Sequence, residues 1–348
     1  MSTTDAAQSQ AAVRPDGDGG LRRTGALHRL ILLPEAGGLA SAIVAFVIFA
    51  ILAGSNGFMS ELGTANWLDG AAELAIVAIP VGTLMTAGEF DLSVGSVAGA
   101  TSITIAICDG YYALSPWIGI VIAIGIGVAI GLLNGLIVVK TKLPSFIVTL
   151  ASLLMVAGAG LGLANAITGS SSISAQIGGS AHAVFASNFK GFDISIAWCI
   201  LVAIIASWVT RKTRFGNWIY ATGGDVQAAR ANGVPTDKVK VILFLCSALG
   251  AVLVGVVETI TFQNGTTTLG AEFDFTAIAA CVIGGVLLSG GYGSTVGVLF
   301  GSATYGIVSL GVYYLGWDPN LSQLFIGLFM LVAVIANNRL RQLASGRG

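Results

Sequence analysis

Charge is the scarcest property of this chain. Only 9% of its 348 residues are Asp, Glu, Lys or Arg, where a soluble domain carries about a quarter. So little charge excludes a large water-facing surface. Histidine is almost absent, and His28 and His182 lie far apart in sequence and on opposite sides of the expected membrane, which excludes a shared metal or a catalytic triad. The four cysteines (Cys108, Cys199, Cys246, Cys281) sit at wide spacing in or beside apolar stretches, which excludes a disulfide or zinc framework and reads as four small buried residues. No Gly-Lys-Ser/Thr occurs, so the chain binds no ATP through a P-loop, and the glycine-rich Ser289–Ser294 does not make one. With no nucleophile or metal constellation, the chain is not expected to be an enzyme.

What is abundant is apolar sequence, at 55%, together with 48 glycines. Glycine is frequent in membrane helices because it lets their backbones approach closely. A helix needs about 20 apolar residues to cross roughly 30 Å of hydrocarbon. Ten such stretches are legible, at 38–54, 71–87, 95–108, 117–139, 144–167, 193–210, 241–260, 274–289, 294–315 and 321–337. The expected fold is therefore all-α and polytopic, a single permease-like domain over 31–345 behind a disordered tail over 1–30. Basic residues stay cytoplasmic. With the N-terminus inside and the spans alternating, only Lys190 of the 16 Lys and Arg residues falls outside. Both termini are thus expected in the cytoplasm.

Two hairpins, 71–108 and 274–315, match without a gap at an offset of 202 residues. Over 31 positions nine are identical, among them Gly82/Gly284, Gly88/Gly290, Gly95/Gly297 and Gly99/Gly301. Both copies begin on the same side, so the repeat (about 75–142 and 277–341) is expected to be parallel. Paired glycine-interrupted segments point to a substrate path.

Three places invite a functional reading. Glu89 and Asp91 lie between apolar runs. Either they face a cavity at membrane depth, where ionised groups are costly and functional, or Asp91 caps the following helix and both sit in cytoplasmic water. Glu73 and Glu258, near outer span ends, fit interfacial solvation. In the longest cytoplasmic segment, 211–240, Asp225 is a good N-cap and Gly233 followed by Pro235 is a stop. The two-turn helix between them is too short to stand alone. It fits a helix pressed into a partner's groove, or an ordinary connector. The polar outer loop 168–193 reads as a docking surface or a solvated loop.

Gly88-Glu89-Phe90-Asp91-Leu92-Ser93-Val94-Gly95-Ser96 resembles the Gly-Gly-x-Asp-Leu-Ser-Val-Gly signature of ribose-type sugar permeases of ABC importers (the carbohydrate uptake class 2 branch). Asn134-Gly135 with Leu143–Leu150, Arg214-Phe215-Gly216 with Tyr220–Gly224 and Ala228–Gly233, and Ala277–Ala280 with Ile283–Gly285 and Leu288–Ser294 resemble three further blocks of that family, in order. The resemblance implies a subunit of the bacterial inner membrane that pairs with a second, identical or different, permease subunit. It implies a separate cytoplasmic ATPase, with ATP and Mg on that partner and no cofactor in this chain, and an extracytoplasmic sugar-binding protein. No nucleic acid is implied. Glu89, Phe90, Asp91, Ser93 and Gly95 become candidate pathway residues, and Gly223, Gly224, Asp225, Ala228, Ala229, Arg230 and Gly233 the ATPase-coupling set. Glu89 departs from the family, whose members carry a second Gly there, and Tyr292 stands where a basic or polar residue is common. A pentose, a hexose, a polyol and a cyclic furanose stay open. The rival reading is a stand-alone secondary transporter or channel for a small polar solute.

Overall fold

The computed structural model describes residues 35–344, with side chains through 335. The expected tail over 1–30 and its arginines lie outside the described residues. Thirteen α-helices follow in order: α1 (Ala36–Ala53), α2 (Glu61–Thr86), α3 (Val94–Ala106), α4 (Pro116–Thr141), α5 (Ser145–Thr168), α6 (Gly179–Phe185), α7 (Ser195–Lys212), α8 (Arg214–Gly224), α9 (Val226–Ala231), α10 (Thr236–Phe262), α11 (Phe273–Ile283), α12 (Thr295–Tyr314) and α13 (Leu321–Ala344). Seven of these (α1, α2, α4, α5, α7, α10 and α12) are long and apolar enough to cross a membrane among the described residues.

Local chemistry sets many of the boundaries. Ser60 caps α2 by accepting the Gly63 amide at 3.0 Å. Pro116 occupies the first turn of α4, where its missing N–H costs nothing. Lys142 in the left-handed region and Pro144 then separate α4 from α5. The stretch expected to cross at 274–289 is helical only over Phe273–Ile283. Gly285, Gly290 and Gly291 all take positive φ, a conformation that favours glycine, and they turn the chain back before α12 begins. Likewise α3 is only 13 residues long and runs on into a π-helical turn at Ile107–Tyr111. Both hairpins therefore contain a short helix.

The core is built around α2, α10 and α12. Leu74, Ile76, Ile79, Met85, Ile105 and Ile260 are among its largest fully buried side chains. Helices α5 and α7 present Leu154, Met155, Ile204 and Trp208 outward, which is where lipid takes the place of water. Cys108, Cys199 and Cys281 are buried as expected, but Cys246 is exposed, because that side of α10 points out of the bundle. The loop 168–193, expected on the outer side, is a folded cap. Strand β1 (Ser172–Ser174) pairs antiparallel with β4 (Asn264–Thr266), while β2 (Asn188–Phe189) pairs with β3 (Phe192–Asp193). Gln263 pins this cap by accepting the Ile177 amide at 2.7 Å and donating to the Ile177 carbonyl at 3.0 Å.

Candidate functional site

The turn between α2 and α3 lies inside the bundle. Gly88, at φ +86°, ends α2 and sends the chain through Glu89–Ser93 to the start of α3. Asp91 is 1% exposed, and its Oδ1 accepts both the Ser93 amide, at 2.9 Å, and the Ser93 hydroxyl, at 2.6 Å. This local loop of hydrogen bonds is what Asp and Ser favour at helix starts. Asn134 on α4 donates to Ser93 Oγ at 3.0 Å, and the Phe90 amide donates to Ser145 Oγ at 2.9 Å. Gly95, in the first turn of α3, donates its amide to Asp274 Oδ1 at 2.7 Å, and a Cβ at Gly95 would stand 2.3 Å from the Gly270 carbonyl oxygen. The reading of Asp91 as the cap of this helix does not hold: the cap position is Ser93, with no side-chain capping bond, and Asp91 is buried in protein rather than in water.

The five candidate pathway residues thus come together, held by α4, α5 and α11. Glu89 belongs to a different balance: it forms an ion pair with Lys240 at the start of α10, and both side chains are mostly buried. Its charge is met within the chain. Ser247 on α10 lies beside Asp91, and Asp91 Oδ2 and Ser247 Oγ are both buried.

The coupling set occupies α8 to α10. Asp225 caps α9, accepting the amides of Gln227 at 2.8 Å and Ala228 at 3.0 Å. Arg230 turns back onto Thr236 Oγ1 at 2.7 Å and pairs with Asp237, so its guanidinium ties α9 to α10. Ala229 is buried, while Gln227, Ala228, Arg230 and Ala231 are exposed, which leaves an outward face of small and polar side chains. Gly233, at φ +80°, makes the turn into α10.

At the opposite end of the bundle, Glu73 and Glu258 are half-buried on α2 and α10 and lie in mutual electrostatic range, with Glu272 nearby. Among the described residues no Lys or Arg pairs with any of the three.

Sequence reasoning missed Asp274, Lys240, Ser247 and the latch in which Glu35 accepts from Arg211 at 2.6 Å and from Ser294 at 2.7 Å. Asp274 carried a signal, a carboxylate opening an apolar run. Its partner is a backbone amide 179 residues away, and no local pattern reaches that far.

Residues 63–334 match the family described as branched-chain amino acid transport system / permease component. The chain is 31% identical over 324 residues to a fructose import permease protein of Rhizobium meliloti, covering 91% of this chain and 89% of that one. It is 31% identical to an inner membrane ABC transporter permease protein of Escherichia coli (strain K12), over 84% of this chain and 88% of that one. A ribose import permease protein of the same strain is 29% identical, over 86% of this chain and 93% of its own length. No solved structure matches. Four motif blocks, a bundle with seven helices able to span a bilayer and a match over most of the sequence converge: this chain belongs to the branched-chain amino acid transport system / permease component family and is a multi-pass inner-membrane permease of the ABC importer class.

Proposed function

We propose that this chain is one of two permease subunits that together carry a monosaccharide, or a related polyol or furanose, inward across the inner membrane. A separate cytoplasmic ATPase drives the cycle with ATP and Mg, and an extracytoplasmic binding protein delivers the solute. The observation that carries this reading is the cytoplasmic module Arg214–Gly233, a short capped helix with an exposed small-residue face, held to the bundle by Arg230 and Ala229. A helix of two turns gains its stability from what it packs on, and that face is free for a partner. In this reading the chain crosses ten times with both ends in the cytoplasm, and the two hairpins are parallel copies. Gly88 and Gly290, equivalent in the repeat, both take positive φ, and a Cβ on Gly290 would stand 2.9 Å from the Gly88 Cα, which supports that equivalence.

At the opposite end of the bundle, Glu73, Glu258 and Glu272 have no cationic partner among the described residues. Carboxyl groups accept hydrogen bonds from hydroxyls, which a sugar offers in number. Relatives whose names print a solute include permeases for fructose, ribose, galactose and xylose. The rival of a stand-alone secondary transporter would use Glu89 and Asp91 for ion coupling. Of these, Glu89 is committed to Lys240.

Co-purification of the tagged protein from its native membrane, followed by mass spectrometry, tests the proposal. An ATPase and a solute-binding protein should be retained, and the ligand of the latter names the solute; recovery of the permease alone under mild conditions would favour the rival. Asp225→Ala removes the cap of α9, worth about 1 kcal/mol. It should weaken ATPase retention about fivefold while the permease stays folded. Unchanged retention, read by titrating the ATPase onto immobilised permease, would remove α9 from the docking site.

A further inference from the structure

We propose that Tyr220 and Gly223 are positioning residues that carry movement of the coupling segment into both intramembrane turns at once, 86–93 and 284–294. This rests on the reading of α9 as the ATPase-docking helix. Only Asp225 separates α9 from α8, so a displacement of α9 reaches Gly223 within a few residues. Helix α8 is itself seated firmly: Ile219 is fully buried beside Leu84, Val138 and Phe244, with Phe215 and Trp218 packed around them.

At Gly223 three stretches of backbone cross without side chains between them. The Gly291 amide donates to the Thr86 carbonyl at 2.8 Å. Gly223 lies against that bond, since a Cβ on it would stand 1.9 Å from the Thr86 oxygen and 2.6 Å from the Gly291 nitrogen. Gly290 completes the crossing, for its Cβ would meet the Gly223 oxygen and the Gly88 Cα, each at 2.9 Å. Close-packed backbone has little give, so displacement of one strand is passed to the others. One turn earlier in α8, the Tyr220 hydroxyl donates to the Gly293 carbonyl at 2.9 Å. Burial pushes the Tyr220 phenol up, which keeps it protonated as a donor.

The two turns gripped in this way lead to the two helix starts that matter. Thr86 and Gly88 precede Asp91 and Ser93 at the entry to α3. Gly293 precedes Ser294, which bonds Glu35 at 2.7 Å where α12 begins. A small cavity lies beside the junction, lined by Thr83, Thr86, Thr210, Tyr220 and Thr295. A docking helix attached to only one turn would tilt one hairpin of the bundle, whereas this junction moves both together.

The test is uptake per ATP hydrolysed, measured in proteoliposomes holding the permease with its co-purified ATPase and binding protein. Tyr220→Phe keeps the ring and its packing and removes one hydrogen bond. It should retain the ATPase and hydrolyse ATP at the wild-type rate, while uptake falls about fivefold, the effect of one neutral hydrogen bond. Gly223→Ala, which forces the crossing apart, should lose more uptake with hydrolysis still running. Wild-type uptake per ATP in Tyr220→Phe overturns the inference, and so does a parallel fall in hydrolysis and uptake, the mark of a merely structural role. If Gly223→Ala fails to accumulate, Tyr220→Phe alone decides. A wild-type permease that retains no ATPase would instead refute the proposed function, and this inference with it.

Discussion

Replacing Gly301 by valine is expected to leave no folded permease in detergent. Helices α11 and α12 meet with their backbones almost touching: a Cβ on Gly301 would stand 1.9 Å from the Ala280 carbonyl oxygen and 3.0 Å from the Gly284 nitrogen. On the opposing strand, a Cβ on Gly284 would stand 2.4 Å from the Gly297 oxygen. Membrane helices associate through such small-residue contacts because no hydrophobic force drives them together inside lipid. Neither backbone can withdraw, since Ala280 is fully buried and Gly301 sits in the middle of α12. The cost should exceed about 4 kcal/mol, the range that marks gross core disruption. Size-exclusion profiles of a fluorescently tagged protein would show the loss of the monodisperse peak. Gly125→Val is the comparison, because nothing lies within 4 Å of a Cβ there, and its peak should persist. A normal profile and melting point for Gly301→Val would mean that α11 and α12 do not pack this closely.

Lys240→Met should cost about 3–5 kcal/mol, because it strands the Glu89 carboxylate in a mostly buried site. The charge, rather than the lost contact, sets this magnitude. Glu89→Gln combined with Lys240→Met should therefore recover most of the stability, since two neutral side chains of similar volume leave no isolated charge. The measurement is the melting temperature of the four variants of the cycle in detergent. Additive losses would show that the pair is not coupled, and a mild Lys240→Met would show that water reaches Glu89. This pairing also bears on substrate choice. Glu89 stands where the resembled signature has glycine, and its charge is answered by Lys240 rather than offered to a solute. Any departure from ribose is then better sought at Glu73, Glu258 and Glu272.

The spans that were easiest to read from composition are those whose outer faces meet lipid. Along α4 and α5 nearly every residue is apolar whether or not it touches protein, so the pattern is unbroken. The short helices were read less well. The stretch 274–289 is apolar throughout, yet its helix stops at Ile283 because three glycines downstream adopt left-handed backbone. Hydropathy does not register that. In the segment 211–240 the cap at Asp225 and the stop at Gly233 were legible, because both act through bonds spanning two or three residues. The role of Arg230 was not, for its partners Thr236 and Asp237 lie beyond the stop.

Scarcity of charge, together with apolar runs long enough to span hydrocarbon, is enough to place this chain in a bilayer, because an ionised group in hydrocarbon is penalised wherever it falls. The Asp-Leu-Ser-Val-Gly turn and the glycine-spaced repeat were likewise present in the order of residues. Which partners those residues choose belonged to the tertiary structure. Asp274 on the Gly95 amide, Lys240 on Glu89, and Gly223 between Thr86 and Gly291 each join positions more than 65 residues apart. Hydrogen bonds and ion pairs act over a few ångströms, and only the folded path of the chain decides which groups come that near.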